Sequence, residues 1–170
     1  MEEFNLMIRE LNESDAHSFM SLRILAIQDS PSAIWPTLEE EANKTLHENE
    51  MRLRHTPQQV IFGVFDGISL VGIAGLRRES LKQVAHKAIL WGVFINVPYR
   101  RAGIAKKLLE KVLDYARDTD VKQVHLTVNT ENVRARSFYQ KLGFSTYGIE
   151  PSAMSVNGQF FDEEHMLLKL

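Results

Sequence analysis

Residues 91–107 read WGVFINVPYRRAGIAKK, and their order decides the fold. Trp91 to Ile95 is rich in aromatic and β-branched residues, as a strand requires. Arg100-Arg101-Ala102-Gly103 is a basic turn carrying a glycine. From Ile104 onward, Leu108, Leu109, Val112 and Ala116 recur at helical spacing until Asp118-Thr119-Asp120 stops the run. The stretch is therefore a strand, a basic glycine turn and a helix N-terminus. A helix start leaves its first backbone N–H groups without intrahelical partners and carries about half a positive charge, so the turn is suited to phosphate oxygens. Arg100 and Arg101 add forked donors and full charge.

Outward from this turn the chain alternates strands and helices. Downstream, Gln123 to Val128 alternates as a strand; strand, helix, strand in that order predicts a right-handed crossover and two parallel strands. Asn132 to Leu142 is a short helix with Ala135, Phe138, Tyr139 and Leu142 on one face, closed by Gly143. Phe144 to about Tyr147 and Glu163 to Lys169 are final strands, joined by a loop containing Asn157-Gly158. Upstream, Lys87 to Ile95 is nearly all apolar, which predicts a central strand buried on both faces. Gln59 to Phe65 and Ile68 to Leu76 form a hairpin at Asp66-Gly67. Phe4 to Ile8 is a first strand, followed by a helix capped by Asn12 or Ser14, with Phe19, Leu22, Ala26 and Ile27 inward, that ends at Ser30-Pro31-Ser32. Thr37-Leu38-Glu39-Glu40 is a capping box that opens a polar helix reaching about Arg54. The expected fold is α/β (α+β): a mixed, mostly antiparallel sheet of six to seven strands, about four helices and a central parallel pair.

Composition narrows the class. A chain of 170 residues with 44% hydrophobic and 25% charged residues is about one domain long and ordinary for a globular protein. A net charge of −2 gives no support to wholesale nucleic-acid or membrane binding. MEEFNLMIRE lacks the features of a signal peptide, and no apolar run reaches the roughly 18 residues of a membrane span, so a cytoplasmic location is expected. The absence of cysteine removes thiolate metal sites and any cysteine that would carry an acyl group between substrates.

Arg100-Arg101-Ala102-Gly103-Ile104-Ala105 contains the spacing Arg-x-x-Gly-x-Ala, and Asn132-Val133-Arg134-Ala135-Arg136-Ser137-Phe138-Tyr139-Gln140-Lys141-Leu142-Gly143-Phe144 follows in the right order. Together these motifs resemble the two signatures of the GCN5-related N-acetyltransferase (GNAT) family. The resemblance spans almost the whole chain, although the two helices before Thr56 match only in type. It implies a single N-acetyltransferase domain over residues 1–170, in which two parallel strands splay apart and hold the pantetheine arm of acetyl-CoA by backbone hydrogen bonds at Val93, Phe94 and Ile95. It implies a pyrophosphate cradle at Arg100, Arg101, Ala102, Gly103, Ile104, Ala105 and Lys106, with Asn132 and Tyr139 also touching the cofactor. Tyr139 would be the general acid that shares a proton with the departing thiolate, and a backbone N–H of Val93 or Phe94 would meet the oxyanion. The acceptor is a primary amine, and the family leaves a homodimer open. A coenzyme A-binding sensor on the same fold is the non-catalytic alternative.

Each residue also has a structural reading: Arg100, Arg101, Lys106 and Lys107 as a solvated helix start, Gly103 as a simple helix-start glycine, Tyr139 as a core tyrosine, Asn132 as an N-cap. An ammonium acceptor must lose a proton before attack, and His86 at the start of the central strand is the candidate base, with Glu39, Glu40 or Glu41 acting through water as alternatives. Glu39 to Glu41 and Glu48 favour a cationic acceptor. Asp162-Glu163-Glu164-His165 alternates faces on a strand and is a poor metal site. Nucleophile-elbow, zinc-peptidase and P-loop motifs are absent.

Overall fold

The computed structural model describes residues 4–170. Seven strands form one sheet in the order β1-β2-β3-β4-β5-β7-β6. They are β1 (Leu6–Glu10), β2 (Gln59–Asp66), β3 (Ser69–Arg78), β4 (Lys87–Ile95), β5 (Gln123–Asn129), β6 (Ser145–Val156) and β7 (Gln159–Lys169). All neighbours are antiparallel except β4 and β5, which run parallel. Five α-helices accompany them: α1 (Ala16–Asp29), α2 (Leu38–Ala42), α3 (Leu46–Leu53), α4 (Ile104–Asp118) and α5 (Val133–Lys141).

The strand periodicity splits side chains between two cores. Val60, Phe62, Leu76, Ala88, Leu90, Val124, Leu126 and Met166 point to the face covered by α4, whose Ile104, Leu108, Leu109 and Val112 are buried against them. Ile61, Phe65, Ile73 and Phe94 point to the other face, where Phe19, Leu22 and Ala26 of α1 and Leu53 of α3 cover them. No helix among the described residues is long and apolar enough to cross a membrane.

Several elements depart from the sequence-based reading, each for a local reason. The single helix expected from Thr37 to about Arg54 is two, because Thr45 and Glu48 form a second capping box: Thr45 Oγ1 accepts from Glu48 N at 3.1 Å, and the Glu48 carboxylate accepts from Thr45 N at 2.6 Å. That makes five helices rather than about four. The chain after Phe144 forms one long hairpin instead of two short strands around a loop, with Asn157 and Gly158 both at positive φ and Val156 paired to Gln159. Its polar composition hides it, because most of β6 is exposed and shows no apolar alternation.

β4 is central, as its composition predicts, but it is not buried on both faces throughout. Ala88 and Leu90 are buried, whereas Ile89 is 36% exposed and Trp91, Gly92 and Val93 are only half-buried. The cause is the pairing with β5, which stops after Lys87–Gln123, Ala88–Val124 and Ile89–His125. Beyond that point β4 follows β3, β5 follows β7, and a cleft opens between them. The helix that joins these two strands is held by its apolar stripe. Leu108→Ala removes a side chain with no exposure at the centre of that stripe and should cost about 2–5 kcal/mol in urea unfolding.

Candidate active site

The cleft between β4 and β5 has a volume of about 1230 Å³. One wall is β4, and its shape is set at Gly92. Ile73 faces Phe94 and Gly75 faces Trp91, so β4 has one residue more than β3 between these pairs. This is a β-bulge, and Gly92 occupies it with φ of +64°, which an L side chain rarely adopts. The bulge bends β4 away from β5 and, with the pairing lost, leaves a strand edge whose backbone groups are available to a ligand. Val93, Phe94 and Ile95 all line the cleft.

At the end of β4 the basic turn wraps the start of α4. Arg101 and Gly103 take φ values of +70° and +73°, and Gly103 is the N-cap of α4. Left-handed residues in such close succession curl consecutive N–H groups toward one side, as an anion requires. A Cβ built on Gly103 would meet nothing within 4 Å, so this backbone is open to a close-approaching group. Arg101, Gly103, Ile104, Ala105 and Lys106 line the cleft, although Ile104 turns its side chain into the core and offers only its backbone. Ala102 is not among the lining residues.

Arg100 has a different task. It is held by Asp29 at 2.6 Å, by the Ile95 carbonyl at 2.9 Å and over the Phe94 ring at 5.3 Å. The Arg100 hydrogen bond holds the Asp29 carboxyl below the usual carboxylate range. Arg100 therefore ties the turn to the end of α1, and Arg101 is the more available cation. Arg134 in the first turn of α5 is a further exposed cation at the cleft, in a position the motif leaves variable.

The other wall carries α5. Asn132 caps it by accepting from Ala135 N at 3.2 Å and also lines the cleft. Tyr139 lines the cleft as well, packed on Phe138 and Phe144 with ring centroids 5.4 and 5.8 Å away. Its phenol has no hydrogen-bond partner among the described residues, and burial pushes its pKa well above that of an ordinary tyrosine. It therefore stays protonated at any physiological pH.

His86 does not share this site. It is exposed before the start of β4, where its carbonyl accepts from Lys122 N at 2.8 Å, and it does not line the cleft. The reason is register: His86 precedes the closed end of the strand pair, and the cleft opens at the other end. None of the acidic alternatives Glu39, Glu40 and Glu41 lines the cleft either. Glu40 and Glu48 close their capping boxes, and Glu41 is 4% exposed between Arg23 and Arg52.

A histidine that the sequence did not single out does line the cleft. His125 on β5 makes a hydrogen bond of 3.1 Å through Nδ1 with the Tyr147 hydroxyl, and its buried Nε2 has no partner among the described residues. Burial lowers its pKa, helped by the positive charges of Lys87, His86 and His165, so its neutral form is favoured. Alternation along β5 fixes which way it points; only pairing shows that this face borders a cleft. Among the described residues no group of three His, Asp or Glu side chains is placed to hold a metal ion.

Residues 23–144 match the model of the Acetyltransferase (GNAT) family. Human N-acetyltransferase 8 is 39% identical over 81 residues, which are 48% of this chain and 35% of that protein, so the chain spans about a third of that relative's length. A GNAT-family acetyltransferase from Streptococcus pneumoniae superposes with a TM-score of 0.86 at 25% identity, covering 98% of this chain and 100% of that one. The structure of yncA from Salmonella typhimurium with its cofactor acetyl-CoA superposes with a TM-score of 0.82 at 19% identity, covering 97% and 94%.

The turn geometry has a direct consequence. Gly103→Val forces an L side chain into the left-handed region, at about 1–2 kcal/mol, and fills the open face of the turn. Calorimetric titration with coenzyme A should show at least a tenfold loss of affinity for this variant and for Arg101→Glu. Binding unchanged in both would exclude the turn as the phosphate site.

Proposed function

Because the chain belongs to the Acetyltransferase (GNAT) family, we propose that it transfers the acetyl group of acetyl-CoA directly to a primary amine of a small molecule or peptide, in a complex that holds both substrates. The observation that carries this reading is the convergence on one cleft of the Arg101–Lys106 turn, the open edge of β4 and the Tyr139 phenol. The cleft fits the donor: an anion-seeking turn at one end, strand-edge N–H and C=O groups along its length, and a proton-bearing phenol at the other wall. When bound, acetyl-CoA supplies a thioester carbonyl for the amine to attack.

Arg101, Lys106 and the α4 N-terminus neutralise phosphate charge. With Phe94 paired to Ile73 of β3, the backbone N–H of Val93 at the bulge donates to a carbonyl oxygen, where negative charge grows during attack. Tyr139 shares its proton with the leaving sulfur through a hydrogen bond; burial weakens the phenol as an acid, so it stabilises the departing thiolate while remaining protonated at rest. The acceptor must give up a proton, and the His125–Tyr147 pair takes it, because a neutral imidazole next to a phenol at the cleft wall is in its proton-accepting form. With no cysteine in the chain, no thiol is present to carry the acetyl group, which favours direct transfer.

Acetylation of an amine panel, read by mass spectrometry alongside coenzyme A release, tests the activity. Tyr139→Phe should lower kcat about 10²-fold or more, the scale of general acid catalysis, without changing coenzyme A affinity. Tight binding without turnover on any amine would instead mark a coenzyme A-binding module. For His125 the sign is set by its lowered pKa: protonation inactivates the base, so kcat should fall toward acid only below the ordinary imidazole range near 6.5. His125→Ala should remove that limb and reduce kcat more than it changes KM.

A further inference from the structure

The acceptor side of the cleft is lined by positive charge with almost nothing to offset it. Arg23, Lys44, Arg52, Arg77 and Lys87 line it, and Glu79 is the carboxylate among the lining residues. None of the acidic residues of α2 and α3 lines the cleft: Glu40 and Glu48 close helix caps, Glu41 is bound by two arginines, and Glu39 and Glu50 lie outside the lining. The positive field is felt nearby: Lys87 is one of the charges that favour neutral His125.

Within this wall one pair is built as a site. Arg23 is 3% exposed on α1 and grips Glu41 through Nε at 3.2 Å and Nη2 at 3.3 Å. Arg52 on α3 reaches the same carboxylate at 2.8 Å, so two guanidinium groups share one negative charge. Arg23 Nη1 has no hydrogen-bond partner among the described residues, and it lies against the bulge: a Cβ placed on Gly92 would sit 3.4 Å from it. Both guanidinium carbons are 5.9 Å from the Trp91 ring, which caps the pair from the β4 side. A buried arginine with a free N–H donor beside the reaction centre, in an environment of net positive charge, is arranged for an anion.

We propose that the acceptor carries its own anion close to the amine, as an amino acid-type carboxylate does, and that Arg23 and Arg52 bind that carboxylate. The proposal rests on the acyl-transfer reading above and deepens it by naming the acceptor class. Glu41 holds both guanidinium groups in place, and both arginines line the cleft. Because Arg23 lies at the bulge, the anion must be only a few bonds from the nitrogen, which favours an α-amino carboxylate over a long-armed one. The same charges repel polyamines and other polycations.

The test uses the whole protein with acetyl-CoA and three matched sets: the free amino acids, their C-terminal amides and the corresponding decarboxylated amines, with spermidine beside them. Free carboxylates should be preferred over their amides by about tenfold or more in kcat/KM, the scale of one charge-assisted hydrogen bond. In Arg52→Gln that preference should collapse, chiefly through KM. A preference for amides, decarboxylated amines or spermidine overturns the proposal while leaving the acetyltransferase reading intact. Calorimetry of the coenzyme A-loaded protein with N-acetyl amino acids and their amides reads the same selectivity without turnover. If no amine is acetylated but the carboxylates bind and Arg52→Gln loses them, the enzyme reading fails and the anion site stands. If carboxylates bind no better than amides, the anion site fails. Intact coenzyme A binding by Arg52→Gln shows that the variant is folded, and Arg77→Ala with Lys87→Ala, both away from the core, supplies a second weakening of the same preference.

Discussion

Three register pairs, Lys87–Gln123, Ala88–Val124 and Ile89–His125, hold β4 and β5 together, and the protein is organised around their failure to continue. Each strand satisfies its other edge, β4 with β3 and β5 with β7, so opening the gap sacrifices one ladder edge on each strand rather than the whole sheet. The bulge at Gly92 fixes where β4 bends, and α4 spans the opening from the far face with an apolar stripe that cannot slide without exposing Leu108, Leu109 and Val112. Two further ties border the opening. Asn129 of β5 donates to the Ser32 carbonyl at 3.1 Å, and Trp35 donates through Nε1 to Glu163 of β7 at 2.7 Å. The chain that leaves α1 is thereby fastened to the β5–β7 side, while Arg100 fastens the same helix end to the basic turn.

Charge is partitioned between structural and available groups by burial. Arg100 and Arg101 are neighbours in sequence, yet one is locked to Asp29 and stacked over Phe94 while the other is exposed at the turn. Arg23, Arg52 and Glu41 form the complementary case. A buried carboxylate is tolerable only when its partners stay charged, and removing one partner of such a pair typically costs about 3–5 kcal/mol. Burial works to raise the Glu41 carboxyl, and hydrogen bonds and charge from Arg23 and Arg52 outweigh it, holding the group ionised. Two arginines per carboxylate leave the local charge positive in a stabilising cluster whose arginines line the cleft.

The two titrating groups at the cleft are displaced in opposite directions by the same cause. Loss of water raises the Tyr139 phenol and lowers the His125 imidazole, since burial disfavours the charged form of each. Burial therefore favours the protonated phenol and the neutral imidazole, which line the cleft from α5 and β5. Phe138 and Phe144 pack on the phenol, and for the imidazole the charges of Lys87, His86 and His165 add to the loss of water.

Local chemistry written in the sequence determined most of the framework. Strand periodicity, the helical stripe of α4, the capping box at Thr37 and the N-cap at Asn132 all depend on residues within one or two turns of each other. The basic glycine turn was legible for the same reason, whereas Tyr139 read by itself as a core tyrosine and was singled out only by the resemblance to a family signature. What lay beyond the sequence was decided by distance in space. His125 lines the cleft because β5 departs from β4 just there, His86 lies outside it because it sits before the closed end, and Glu41, a candidate base by sequence, is a buried partner of Arg23 and Arg52, 18 and 11 residues away. The long β6–β7 hairpin was hidden because exposed strands need no apolar alternation. Sequence therefore determined which elements form and where the basic glycine turn lies; tertiary structure decided which charges are spent on holding the fold and which face the cleft, because burial and pairing are properties of neighbours that only folding brings together.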